Sequence, residues 1–518
     1  MHIKRLLQFP AMVFTNLENS KIPFYRFILT FSAIIFIRIF LESFSQTMNM
    51  LNFPSYQVGY STLHFYCAYV AIMLLVTITL SYASSLSINK VLRVMLPSML
   101  ILLICPILDI IRTGGYGANI YYMQPGTLSN WLKAYVTYGS VVAGVSLGQQ
   151  IEIAIILFAT FLYVISKDSG VLKAAFVTLL VYTLIFLWGS VLYLIKGVLE
   201  FFGFEYSYSP LLLLRFFLLV DFILISITAY LANPHIFKTM LHDIRGSRIL
   251  YYQLSLLFGI AIAISTHNVN LNAYLHIRPE IVINTILTMI SLFLAGVFSV
   301  IFNNIYDIAP DSINSPKRPL ITGEIALQQY QYLGFIFMAS ALLYAFIVGS
   351  QILLMIGTIM GSYYLYSAPP IRFKRVPVLS KLVISLNSFA AIMLGYFIMM
   401  TGTDNFPPQI AWIYFIGITL AANFIDLKDV KGDKAAGIMT LPVLIGEKNA
   451  KRIIGTAFFL VMAAFYFVLP KSRLLPIVVL DGVLFYYVVT MANYKDWKVL
   501  MLCNISLFAL ILYLTVLI

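Results

Sequence analysis

Charge is scarce in this sequence. Of 518 residues, only 10% are Asp, Glu, Lys or Arg and 61% are hydrophobic, whereas soluble domains carry roughly 25% charge. A soluble fold of this length has nowhere to hide so much apolar surface, which leaves the bilayer as the solvent. Cysteine is nearly absent. Cys67, Cys105 and Cys503 lie far apart in apolar runs with no CxxC pair, which excludes a disulfide scaffold and a dithiol or zinc-ribbon motif and leaves inert buried thiols. The six histidines are scattered without an HExxH pattern, so a zinc site is not expected. Acidic residues are also in deficit, 20 against 33 Lys and Arg, for a net charge of +13. No nucleic-acid-binding pattern accompanies that excess. It sits in short loops, where it reads as a topology signal.

Long apolar runs are what the sequence does have. About 15 segments approach the roughly 20 residues a span needs. Six precede Asn233, near 24–44, 61–83, 91–111, 147–166, 171–195 and 210–231. Nine follow, near 248–265, 279–304, 328–349, 351–367, 378–401, 409–425, 450–469, 474–492 and 497–517. The basic stretch Asn233–Arg248, with Lys238, Arg245 and Arg248, predicts a boundary between a 1–232 domain and a 233–518 domain. Thr113–Ser146 is Gly- and Tyr-rich and reads as an outside loop or a re-entrant piece. No cleavable secretory signal is expected, because the first apolar run begins only near Phe24 and is already of spanning length. With the N-terminus in the cytoplasm, the basic loops fall on the cytoplasmic side, while 45–60 and 402–408 on the opposite side carry no Lys or Arg. Lys133, Lys196, Arg278, Lys471 and Arg473 are the exceptions. The expectation is an all-α, multi-pass membrane protein of a prokaryotic inner membrane, oriented by this charge bias with its N-terminus in the cytoplasm.

Two acidic motifs stand out against this background. One reads F-N-N-I-Y-D-I-A-P-D over 302–311, the other F-I-D-L-K-D-V-K-G-D over 424–433. Asn304, Asp307 and Asp311 have offsets 0, 3 and 7, as do Asp426, Asp429 and Asp433, and each pair of equivalents is 122 apart (426 − 304, 429 − 307, 433 − 311). On a continuous helix these offsets share one face, so each motif is expected to present a row of oxygen ligands from a span end. Two such rows suit two or three Mg²⁺ ions, which favour one or two carboxylates plus phosphate oxygens and water, and so suit a diphosphate. Helix capping is the bland alternative, but ionisable groups at membrane depth are functional by default. Pro310 is expected to disturb the first helix just before Asp311, making the second motif the more regular. Arg318 in N-S-P-K-R-P, and Arg372 and Lys374 in Y-S-A-P-P-I-R-F-K-R over 366–375, are expected to contact phosphate. Arg375 and Lys381 are expected to be topology anchors.

At these residues the sequence resembles the UbiA superfamily of intramembrane prenyltransferases. The pattern N-D-x-x-D-x-x-x-D corresponds to Asn303, Asn304, Asp307 and Asp311. I-N-x-P-x-R-P-x-x-x-G corresponds to Ile313, Asn314, Pro316, Arg318, Pro319 and Gly323, and Y-S-x-P-P-x-R-x-K-R to Tyr366 through Arg375. The second acidic pattern runs from Asp426 to Pro442, with Gly432, Gly437, Thr440 and Leu441 in place. The resemblance covers roughly 235–518, and nothing comparable was recognised before it. It implies a nine-helix bundle around a central cavity, preceded here by about six further helices. It also implies a polyprenyl diphosphate donor, a hydrophobic acceptor and transfer of the prenyl group. Asn303, Asn304, Asp307, Asp311, Asp426, Asp429 and Asp433 would hold Mg²⁺. Among them Asp307, Asp311, Asp429 and Asp433 are the catalytic set, with Arg318, Arg372, Lys374, Lys428 and Tyr366 binding substrate. One departure is Asn304, where the family usually has Asp: an amide oxygen can ligate Mg²⁺ but brings no charge.

In the first six spans Asp109, Arg112, Glu152, Arg215 and Asp221 are ionisable at apparent membrane depth, as is Asp481 in the eighth span of the second block. Internal ion pairs or helix ends are the expected explanation, with a second polar site for a lipid or an unidentified partner as the alternative. Other readings of the whole chain are a multi-spanning transporter, a lipid-binding membrane protein, or a cyclase sharing the same metal–diphosphate ionisation. The acceptor class is open between aromatic and lipid-type molecules.

Overall fold

The computed structural model describes residues 2–46, 55–115, 122–167, 169–201, 203, 209–269, 280–400, 402–403, 405–435, 439–469 and 474–516. These residues form helices and connecting turns, with no strand among them. This is the outcome bilayer solvent imposes, since a helix satisfies all its backbone groups within one segment. Among the described residues, thirteen helices are long and apolar enough to cross a membrane, so the protein is an integral, multi-pass membrane protein. Two further expected spans are also helices, Ser350–Ser367 and Leu475–Thr490, but the second has only 16 residues and neither is among the thirteen.

The chain divides into two compact units, Met1–Phe237 and Lys238–Ile518. A helix, Pro234–Asp243, within the basic stretch expected as the boundary, runs through the division. The first unit opens with a helix the apolar-run criterion passed over, His2–Glu18, whose polar and apolar residues share one segment. Its Glu18 pairs with Lys167 at 2.7 Å, so Lys167 is more than a loop charge.

Ion pairing accounts for much of the buried charge in this unit. Arg38, in the helix Phe24–Gln46, is 2% exposed. It contacts Glu152 at 2.6 Å and Glu42 at 2.8 Å and donates to the Leu102 carbonyl, with its guanidinium over the Tyr69 ring. Asp109 is spent on helix capping: it accepts from the Gly148 N–H at 3.1 Å and from the Ser146 hydroxyl at the start of Leu147–Ile165. Arg112 is exposed, contrary to its expected depth, because the Ile104–Arg112 helix ends there. Arg215 and Asp221 are buried in Pro210–Ala232. Thr113–Ser146 contains a short helix, Leu128–Val136, and turns.

The second unit packs its helices closely. Gly246–Thr266 and Pro377–Met399 touch backbone to backbone. A Cβ at Gly259 would lie 1.9 Å from the Ile392 carbonyl oxygen, and one at Gly395 would lie 1.8 Å from that of Leu256. Small residues permit such contact where no hydrophobic force drives helices together in lipid. This pair supports the wall that carries Ser388 and Tyr251 toward the site described next. Asp481 is buried within this unit.

Candidate active site

Both acidic motifs sit where a span ends, and both break their helix at the middle carboxylate. Glu280–Tyr306 stops before Asp307, which has φ −108° and ψ 16°, and a short helix Ile308–Asn314 follows. In the second motif a tight 3₁₀ stretch, Ala422–Lys428, stops before Asp429, which has φ −103° and ψ 5°, and Val430–Ala435 follows. The 122-residue repeat is therefore a repeat of backbone geometry too, but the expected continuous helical face is wrong. Each row bends at its second member. Pro310 is not where the helix breaks: it lies in the first turn of the short helix, where a missing N–H leaves nothing unsatisfied.

A cavity of about 920 Å³ brings the motifs together. Asn303, Asp307, Asp311, Arg318, Tyr366, Lys374, Lys428 and Asp429 line it. Asn304, Arg372 and Asp426 stand behind that lining. Asp433 lies in the helix Val430–Ala435, but its side chain falls outside the described residues, as does Gly437.

Opposite charges pair across this space. Asp307 accepts from Arg372 at 3.0 Å and from Lys374. Arg372 also donates to the Tyr306 carbonyl at 3.1 Å, capping the end of the long helix, where a cation is favoured. It does so from a left-handed backbone, φ 47°, a costly conformation for a residue with a side chain. Arg318 lies 3.1 Å from Asp311 and donates to the Asn304 amide oxygen. Asn303 accepts from the Ser367 hydroxyl at 3.1 Å. Lys428 pairs with Asp496 at 2.6 Å. Lys381, expected as a topology anchor, is instead buried and holds Asp426 at 2.6 Å. The first turn of Pro377–Met399 turns it inward to a carboxylate that would otherwise be desolvated alone.

Burial pushes the Asp311 and Asp429 carboxyls above their ordinary range, with Arg318 and Lys428 respectively opposing the shift. Burial lowers the Lys374 ammonium, against the pull of Asp307. Arg245, which also lines the cavity, is lowered to about 10 by burial and by Arg248 and Arg318. Both signs of charge are thus held in a desolvated place, the condition under which a charged ligand gains most from each contact.

Sequence reasoning missed Asp243, Arg245, Arg248, Tyr330 and Asp496. Arg245 and Arg248 had been read as loop charges, and Asp243 and Asp496 lie outside any motif. The signal available was only their position at span ends on the same side as the motifs.

No group of three His, Cys, Asp or Glu close enough to hold a metal occurs among the described residues. The donor chemistry nevertheless suits Mg²⁺: Asp307, Asp311 and Asp429 bring carboxylate oxygens to the cavity and Asn303 an amide oxygen. Moreover, Asp426 Oδ2 is buried with no hydrogen-bond partner among the described residues.

Residues 269–505 match the UbiA prenyltransferase family. Over this stretch the chain is similar to that family. Among curated relatives of this UbiA region, homogentisate phytyltransferase from Synechocystis sp. is 30% identical over 180 residues, 33% of this chain and 58% of that protein. Digeranylgeranylglyceryl phosphate synthase from Sulfolobus acidocaldarius is 28% identical over 208 residues, 39% of this chain and 73% of that protein. A UbiA homologue from Archaeoglobus fulgidus, solved with GPP and Mg²⁺, aligns at TM-score 0.42 and 21% identity, over 53% of this chain and 99% of that one. The UbiA match lies within the second compact unit.

Proposed function

We propose that this protein is a membrane prenyltransferase that moves a polyprenyl group from its diphosphate to a hydrophobic acceptor of the aromatic or glycerol-phosphate lipid class. The observation that carries this reading is the convergence of the two motifs, with Arg318, Lys374 and Lys428, on one cavity. The match to the UbiA prenyltransferase family supports it, as do relatives named for prenyl transfer to those two acceptor classes.

Asp307, Asp311 and Asn303 from the first motif and Asp426, Asp429 and Asp433 from the second are the residues that would hold Mg²⁺. Bound there, Mg²⁺ supplies positive charge to the diphosphate. The chain's own cations do the rest. Arg318, Arg372, Lys374 and Lys428 bind diphosphate oxygens and stabilise the leaving group as the allylic C–O bond breaks. Each is at present held by a carboxylate, so the donor arrives at groups already oriented. Tyr251, Tyr252, Tyr363, Tyr366, Phe424 and Phe458 also line the cavity. They exclude water from the allylic cation and offer it ring faces. Tyr252 and Tyr363 are fixed by a hydroxyl–hydroxyl hydrogen bond.

In this reading the membrane is a prokaryotic inner membrane, residues 1–232 are a separate membrane domain, and the bias of the basic loops supports a cytoplasmic N-terminus and cytoplasmic motifs. The test is to incubate the full chain in nanodiscs with labelled polyprenyl diphosphates, Mg²⁺, and homogentisate or a glycerol-phosphate lipid, and to identify the product by mass. The reading expects a prenylated acceptor that Asp307→Asn and Asp429→Asn both abolish. Transfer that survives both substitutions would overturn it.

A further inference from the structure

The internal repeat leaves one position unmatched. Asp426 in the second motif corresponds to Asn304 in the first, so the first half lacks a charge. The structure brings a carboxylate to that place from another helix. Asp243 ends Pro234–Asp243 and lines the cavity. Its carboxylate accepts from the Asn304 amide at 2.7 Å and from the Tyr330 hydroxyl, and it faces the Arg318 guanidinium at 3.9 Å. The Asp243 side chain is 6% exposed. Asn304 spends its amide oxygen on Arg318 and its amide N–H groups on Asp243 and Tyr330. All of its polar groups are therefore committed inside this cluster.

The parallel with the second half is direct. There Asp426 is held by Lys381, one acid and one base. In the first half Asn304 is the link between one acid, Asp243, and one base, Arg318. We propose that Asp243 carries the negative charge that the first motif lacks at Asn304, and that it positions Arg318 for the donor's diphosphate. This rests on the diphosphate reading above. Asp243 acts through Arg318: it holds the far end of the guanidinium toward Asn304, and without its charge the Asp311 pair at 3.1 Å is the one ion pair Arg318 keeps among the described residues.

The test uses the full chain in detergent. Mg²⁺–pyrophosphate binding is measured by calorimetry, alongside KM and kcat for the prenyl diphosphate. Asp243→Asn is expected to weaken pyrophosphate binding and raise KM by about 10- to 100-fold, the range for a charged hydrogen bond, with a smaller change in kcat. Asp243→Glu is expected to recover part of the loss. Asn304→Asp alone sets two carboxylates against each other and is expected to weaken binding as well, whereas Asp243→Asn with Asn304→Asp moves the charge back into the motif and restores binding. If Asp243→Asn does not fold, the double variant decides: recovered folding and binding support the proposal, and folding without binding overturns it. Parent-like binding in Asp243→Asn, with binding lost in Asp307→Asn, overturns this inference alone. Parent-like binding in both overturns the diphosphate reading and this one with it.

Discussion

Replacing Lys381 with Met tests whether the site's charges are held as pairs. Lys381 and Asp426 meet at 2.6 Å with side chains only 5% and 13% exposed, so neither is well solvated. Removing one member of such a pair costs about 3–5 kcal/mol, because the other charge stays buried alone. The second Asp426 oxygen has no hydrogen-bond partner among the described residues to soften that cost. Lys381→Met keeps the apolar stem and removes only the charge. It is expected to lower stability by that amount in a denaturant titration of the detergent-solubilised protein. Asp426→Asn combined with Lys381→Met removes both charges and should recover most of the loss, because replacing both partners is far milder than orphaning one. A ligand that binds only the folded state stabilises it by mass action. Mg²⁺ should therefore raise the stability of Lys381→Met by more than that of the parent, since Asp426 is then free to take a cation. A coupling energy below about 0.5 kcal/mol in the double-mutant cycle, the scatter of independent sites, would refute the argument.

Other consequences are open to simpler measurements. Arg372→Ala removes both the Asp307 contact and the Tyr306 carbonyl cap, and should raise the donor KM by about 10- to 100-fold, read from initial rates. Chelation with EDTA should abolish prenyl transfer and added Mg²⁺ should restore it, whereas activity that persists through chelation would count against the oxygen-only donor set as a metal site. Gly259→Ala and Gly395→Ala force a methyl group into a facing carbonyl and should each cost about 3 kcal/mol or more, the upper range of overpacking. Gly357→Ala, with nothing within 4 Å of the added methyl, should be neutral or slightly stabilising by the same titration. In the first unit, Arg38→Met removes the buried guanidinium that Glu152 meets at 2.6 Å. It should destabilise by about 3–5 kcal/mol while leaving the donor KM unchanged.

Most of the architecture was legible in the sequence because bilayer solvent leaves so few choices. A run of apolar residues long enough to span must become a helix, and all fifteen expected spans overlap helices of the structure. The acidic motifs were legible for a related reason: charge is so rare here that a duplicated spacing stands out from the background. What the linear pattern did not show was the bend. Offsets of 0, 3 and 7 assume an unbroken helix, yet Asp307 and Asp429 both leave helical geometry. Nothing in composition marks that change; at the first motif the residue that meets the open helix end is Arg372, 66 residues away from Tyr306.

The partners of the charges belong to tertiary structure alone. Asp243 is 61 residues from Asn304, Lys381 is 45 from Asp426, and Arg38 is 114 from Glu152. No local spacing links such pairs. Lys381 and Arg245 look like any other basic residue at a span end, and only the packing of the helices decides which cations remain at the surface and which turn inward to a buried acid. The sequence alone determined that this chain crosses a membrane and carries two matched acidic motifs. Only the folded bundle decided that the motifs meet at one cavity, and that Asp243 comes to lie beside Asn304 and Arg318.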